Sequence, residues 1–252
     1  MTRRAPRSVL KPSTILLGFG LGGMFDGILL HQILQWHHLL SLVPGERTET
    51  LEFQILADGL FHLLMNGLVV LGVILLWRDR RAMDGRAAVG GAIIGFGAWN
   101  VVDVIAFHWV LGIHNVRLDR PDPFPWDLGW LIALGVVPIL AGFVLLRSGR
   151  SLPPAAASGG LTGLALLFLA SALFPPPASD DTLVVFWPGA RLPDMVAAAA
   201  AADGVIVSMQ EGSAIMTIRL PDQASRWRLY THGAALVSGA GPGGCLTAAR
   251  LV

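Results

Sequence analysis

Long apolar runs, at roughly residues 13–36, 51–77, 87–113 and 128–146 with a shorter one at 159–174, set the pattern of this chain. A helix rises about 1.5 Å per residue and needs about 20 residues to cross the hydrocarbon layer, so the first four runs read as spans. The fifth is short for a crossing, but it carries no charge and is counted as a span. Lys and Arg divide unevenly among the connections. Arg3, Arg4, Arg7 and Lys11 precede the first span, Arg78, Arg80, Arg81 and Arg86 follow the second, and Arg147 and Arg150 follow the fourth. The first and third connections hold only Arg47, Arg117 and Arg120. Because a cytoplasmic excess of Lys and Arg sets topology, the N-terminus is expected inside and the first and third connections outside. The first run lacks a small-residue cleavage site and contains Asp26 and His31, so it reads as a retained span rather than a signal peptide.

After Pro175-Pro176-Pro177 the pattern becomes that of a water-soluble segment. Thr182 to Trp187 alternates as a strand, and an Ala-rich helix follows Pro193 over Asp194 to Ala202. Val205 to Gln210 and Ala214 to Leu220 pair as a hairpin around Glu211-Gly212-Ser213, Gln223 to His232 is a helix, and Ala235 to Ser238 is a last strand. That βαββαβ order predicts a small ferredoxin-like α+β domain at 179–252. It follows a four-helix transmembrane core at 1–150 and a fifth helix with a Pro-rich hinge at 151–178. With five spans, the C-terminal domain lies outside the cytoplasm.

Composition agrees with a multi-pass membrane protein. Of 252 residues, 54% are hydrophobic and 14% charged, against about 25% charged in soluble domains. This excludes a disordered chain and a coiled coil. Eighteen Lys and Arg against 17 Asp and Glu leave no basic excess for a nucleic acid. Cys245, the single cysteine, can form no disulfide within the chain.

The first and third spans repeat each other. At an offset of 77 residues, Gly18-Phe19-Gly20 aligns with Gly95-Phe96-Gly97, Asp26 with Asp103, Ile28 with Ile105, His31 with His108, Leu34 with Leu111, and His37 with His114. That makes eight identities in 21 positions, and both copies read Asp-x4-His-x5-His. The two spans run in the same direction, so the repeat is parallel and relates two helical hairpins. On an ideal α-helix, at about 100° per residue, Asp26 and His37 share one stripe. His31 and His38 fall on another about 140° away, so the four cannot all reach one point. On the second span Gln54, Asp58 and His62 share a face. By depth, His37, His38 and His114 lie at the outer interface, His31, His108 and Asp58 somewhat deeper, and Asp26, Asp103 and His62 near mid-membrane.

An Asp at the centre of a span costs roughly 2.5–3.5 kcal/mol, so three of them demand compensation. A cation held jointly by carboxylate and imidazole would supply it, and that donor mixture suits copper, iron or zinc rather than calcium or magnesium. The carboxylates could also orient ligating histidines from behind. Protonation, Asp–His pairs and water are the other means.

The segment Gly18 to His38, Asp58-Gly-Leu-Phe-His62, His108 to Leu118, and Trp126-Asp127 together resemble the bacterial predicted membrane proteins grouped as domain of unknown function 2243, over roughly residues 13–146. The resemblance implies a four-helix membrane core and brings no activity. In that family pattern a Glu usually stands at the position of Asp103, and His at those of Trp109 and Asn115. If those histidines are ligands, the second repeat here is depleted and a fully symmetric two-metal site is not expected.

The residues thus predict an all-α membrane bundle that binds one or two transition-metal ions in its outer half. His31, His62 and His108 are the first candidates as ligands, and Asp26, Asp58 and Asp103 are ligands or orienters. His37, His38 and His114 form an outer layer that accepts or passes on the ion. The role is redox chemistry or metal handling for a respiratory complex, and the C-terminal domain is either a docking module for a respiratory or periplasmic partner or a stabilising appendage. A proton or small-ion relay through the same stripes is the alternative. Haem ligation and zinc-dependent hydrolysis rank below it.

Overall fold

The structure, a computed structural model, describes residues 10–34, 36–46, 48–148, 152–173, 181–209, 212–222 and 225–239. Arg3, Arg4, Arg7, Arg47, Arg150, the prolines 175–177, Gln210, Glu211, Gln223 and Cys245 lie outside the described residues. The chain forms two compact units, Met1–Ile28 with His62–Leu173, and Leu29–Phe61 with Phe174–Val252.

Helix α1 (Pro12–Asp26) starts with Pro12 in the first turn, where its missing N–H costs nothing. It runs on as a wider π-helical segment, Gly27–Ile33. Helix α2 covers Leu51–Asp79. Helix α3 (Gly85–Val102) is capped by Asp84, whose carboxylate accepts the Arg86 N–H, and it too passes into a π-helical segment, Asp103–Val110. Helix α4 (Phe124–Trp130) continues through a π-helical Leu131–Val136 into α5 (Val137–Arg147), and α6 covers Pro154–Leu173. Among the described residues, four helical segments are long and apolar enough to cross a membrane, Pro12–Ile33, Phe53–Ala82, Gly85–Val110 and Phe124–Arg147; the expected fifth span is a shorter apolar helix, Pro154–Ala170. Their polarity is inverted relative to a soluble protein. Leu63, Val70, Leu140 and Val144 are exposed, whereas Asp26, His31, Asp58, His62, Asp103 and His108 are buried. Without water in the bilayer, polar groups must find partners within the protein.

Within the first unit α1 and α3 touch backbone to backbone. A Cβ placed on Gly18 would lie 1.9 Å from the carbonyl oxygen of Ala92, and one on Gly95 would lie 2.0 Å from that of Ile15. Gly18 and Gly95 are 77 residues apart, and so are Ile15 and Ala92, so the contact exchanges its partners under the sequence repeat. Phe19 meets Trp99 edge-on, with ring centroids 5.2 Å apart, and Phe25 lies 5.5 Å from Phe96.

The expected continuous α-helix through both Asp-x4-His-x5-His motifs is replaced by π-turns, which changes the expected stripes. The Leu34 and Leu111 N–H groups donate to Leu29 and Ala106, five residues back; those of Trp36 and Ile113 donate to Leu30 and Phe107, six back. These wider turns end each helix in the same way and fold the chain after it back toward the preceding histidine. His31 and His37 therefore meet, although α-helical angles had set them on separate stripes.

In the second unit, β1 (Asp181–Phe186), α7 (Leu192–Ala201), β2 (Val205–Met209), β3 (Ile215–Arg219), α8 (Arg226–Thr231) and β4 (Ala234–Gly239) build one antiparallel sheet of order β2-β3-β1-β4. Strand alternation divides its residues between two faces. Val184, Phe186, Met216 and Ile218 pack with Met195, Ala198 and Ala199 of α7 and Leu229 of α8. Leu183, Val185 and Ile215 face the other way and pack with Ile55, Leu51 and Leu236. The second face therefore covers the first turns of α2.

Candidate metal centre

The π-helical segment after α3 carries Asp103 and His108, and the turn after it carries His114. All three side chains are buried. The Nε2 of His108 lies 3.1 Å from one Asp103 oxygen, and the Nε2 of His114 lies 3.3 Å from the other. The two imidazoles meet edge to face, with centroids 4.6 Å apart. One ligand atom from each of the three residues can be chosen so that all lie within 4.8 Å of one another, close enough to share one metal ion. Two imidazole nitrogens with a carboxylate oxygen form a donor set suited to zinc, iron or copper.

Behind this triad stands Asp127, from the first turn of α4. Its Oδ1 is 3.0 Å from Nδ1 of His108 and accepts the Val116 N–H at 2.9 Å, while Oδ2 accepts the Asn115 amide at 2.8 Å. A carboxylate so close to Nδ1 can set the orientation of the ring, with Nε2 on the side of Asp103. This is how outer residues usually orient a ligating histidine.

The second unit carries the matching pattern after α1. Asp58 Oδ1 lies 3.2 Å from Nδ1 of His31 and accepts the Leu39 N–H at 2.8 Å, and Oδ2 lies 2.7 Å from Nδ1 of His38. Leu39 and Val116 are 77 residues apart, as are His38 and Asn115. The repeat thus extends from side-chain identities to the hydrogen bonds that anchor each carboxylate.

These contacts sort the sequence candidates. Asp103, His108 and His114 form one group, and His31, His37, His38 and Asp58 form another. Asp26 and His62 are buried and stand outside the triad. His114 contacts Asp103 directly and so stands with His108 in one group. Asp127 had no assigned role; its signal was the Trp126-Asp127 pair, which has no counterpart under the 77-residue shift because the second helix of each half follows a different spacing.

Above the triad, the loop after His114 is fastened by Arg117. Its guanidinium lies 4.8 Å from the Trp126 ring centre and pairs with Asp119 through two nitrogens, at 2.8 and 2.5 Å. The hydrogen bond from Arg117 holds the Asp119 carboxyl below its usual range.

Among known proteins, no curated protein and no solved structure matches this chain. A family model described as predicted membrane protein (DUF2243) matches residues 13–149, more than half of the chain and the whole of the segment that carries both histidine clusters. The chain belongs to that family of predicted membrane proteins.

Proposed function

We propose that this protein binds a transition-metal ion, copper, iron or zinc, through Asp103, His108 and His114, in a redox or metal-handling role. The observation that carries this reading is the buried triad within 4.8 Å with Asp127 fixed on the far nitrogen of His108. Three buried carboxylate and imidazole groups inside a bilayer protein are expensive unless a charge balances them. Elemental analysis of detergent-purified protein from metal-replete medium tests it. At least one equivalent of metal is expected, with His114→Ala losing the equivalent bound at the triad; a metal-free wild-type protein overturns the reading.

A proton relay is the second reading, favoured by a run of close contacts between titratable groups. Asp127, His108, Asp103 and His114 follow one another at 3.0, 3.1 and 3.3 Å. It predicts dye-reported proton flux in liposomes that Asp103→Asn removes, in a protein that holds no metal.

The four-helix core reads as two parallel-repeat hairpins, α1 with α2 and α3 with α4 and α5. The exchanged Gly18–Ala92 and Gly95–Ile15 contacts and the paired carboxylate anchors support that arrangement. The sheet order β2-β3-β1-β4 supports a ferredoxin-like C-terminal domain. The arginine distribution favours a cytoplasmic N-terminus, and the resemblance to bacterial predicted membrane proteins favours an inner-membrane location. Leu152, just before α6, lies against Gly85 at the start of α3, whereas the sheet packs on Leu51 and Ile55 at the start of α2. Both contacts favour a crossing by α6 and an extracytoplasmic domain, available to a respiratory or periplasmic partner.

A further inference from the structure

The proposed metal ion at the triad leaves His31 and His37 without a task. Their rings are almost completely buried, and the Nε2 atoms face each other at 3.1 Å. The centroids are 4.7 Å apart with an interplanar angle of 72°, against 4.6 Å and 69° for His108 and His114. One ring geometry is therefore built twice, once around a carboxylate and once with the nitrogens facing directly.

Asp58 accepts the Leu39 N–H and lies 3.2 Å from Nδ1 of His31, on the side of that ring away from His37. Two ring nitrogens 3.1 Å apart either share one proton or turn their lone pairs on a cation. With metal–nitrogen bonds of about 2.05 Å, a nitrogen separation of 3.1 Å corresponds to an angle of roughly 100° at the metal, close to tetrahedral.

Resting on the metal-binding reading, we propose that His31 and His37 form a second, separate transition-metal site, oriented by Asp58. Its local donors are two imidazoles with no carboxylate between them. That set favours copper or zinc, the tighter binders of nitrogen in the divalent series, over iron or manganese. The two sites are therefore unequal: one offers nitrogen and oxygen, the other nitrogen alone. His38 on the Asp58 carboxylate, where Asn115 stands on Asp127, marks the same inequality in the supporting residues.

Zn(II) titration of the full-length, chelator-stripped protein in detergent tests this. Two equivalents are expected in the wild type and one in His37→Ala, with His114→Ala also keeping one. Asp58→Asn, which leaves both imidazoles in place, is expected to weaken one equivalent 10–100-fold without changing the stoichiometry at saturation. One equivalent in both wild type and His37→Ala overturns the second site and leaves the first standing. One equivalent that His37→Ala removes and His114→Ala retains upholds the second site and overturns the triad. No bound Zn(II) in the wild type overturns both. Should His37→Ala fail to fold, Asp58→Asn decides alone: two equivalents of unchanged affinity overturn the proposal.

Discussion

Asp58 and Asp127 hold the same position in two copies of one hydrogen-bond pattern. Each sets one oxygen between an imidazole Nδ1 and a backbone N–H, with its second oxygen on a neighbouring side chain. The backbone donors, Leu39 and Val116, lie in loops that follow a π-turn, and the carboxylates lie on the next helix. Each carboxylate thus joins the end of one helix to the beginning of the next and fixes an imidazole in the same step.

Replacing Asp127 with Asn tests whether that fixing matters for metal binding. The amide keeps the size of the carboxylate but loses its charge and one acceptor, so Nδ1 of His108 loses its charged partner while all three ligands remain. Losing such an outer partner typically costs 10–100-fold in affinity. Chelator competition on Asp127→Asn is expected to show a loss of that size at the triad, with the bundle still folded. Unchanged affinity would remove Asp127 from the metal site.

Much of this was legible in the residues, and what was missed has a physical cause. The four long spans and the strand order followed from hydrophobic spacing, which reports which face is buried, and the 77-residue repeat from identities at a fixed offset; the fifth run forms a helix that is not among the segments long and apolar enough to cross. The meeting of His31 with His37 did not follow, since angular arithmetic assumed 3.6 residues per turn and the chain adopts π-turns there. Asp127 escaped for a related reason. Its counterpart Asp58 lies 69 residues earlier rather than 77, because the connection between the helices is shorter in the second half.

The glycines of α1 and α3 give a prediction about stability. Backbone oxygens stand within 2.0 Å of where a Cβ would go on Gly18 and Gly95, and a backbone cannot step aside as a side chain can. Gly18→Ala and Gly95→Ala are each expected to force the helices apart, at a cost of about 1–3 kcal/mol or more. Gly67, on α2, has nothing within 4 Å, so Gly67→Ala is the control and should be neutral or slightly stabilising through helix propensity. Thermal unfolding in detergent separates the two outcomes, and equal melting temperatures for Gly18→Ala and Gly67→Ala would contradict the close approach.

The C-terminal sheet gives a second stability test. Val185 is fully buried on the face that packs with Ile55, whereas Val207 on β2 is exposed. Val185→Asp puts a carboxylate into that apolar layer and should make the domain readily cleaved by protease. Val207→Asp should leave it resistant. Equal resistance of the two variants would show that the Ile55 contact contributes little.

The loop above the triad predicts a pH response by sign alone. Its ion pair holds the Asp119 carboxyl below the unfolded value of about 3.9, so whatever stability it adds is fully present above that value and is lost as pH falls through the lower folded one. Asp119 is well exposed, so the contribution is small. Melting profiles of wild type and Asp119→Asn should run parallel from about pH 5 to 8 and converge only in more acidic solution. Divergence near neutral pH would assign that response to another group.

Membrane topology supplies the last prediction. A reporter active only outside the cytoplasm, such as alkaline phosphatase, is expected to be active when joined after Gly239 and inactive when joined after Ser148. The second point follows four spans, counted from a cytoplasmic N-terminus, and the first follows α6. Activity at neither point would keep α6 on the cytoplasmic side. The sheet would then lie inside with it, and its packing on Leu51 and Ile55 would require that end of α2 to be inside as well. The arginine distribution argues against that, because it leaves the connection before α2 as the poorest in positive charge. Activity after Gly239 alone would therefore place the start of α2, and with it Asp58, in the outer half of the membrane.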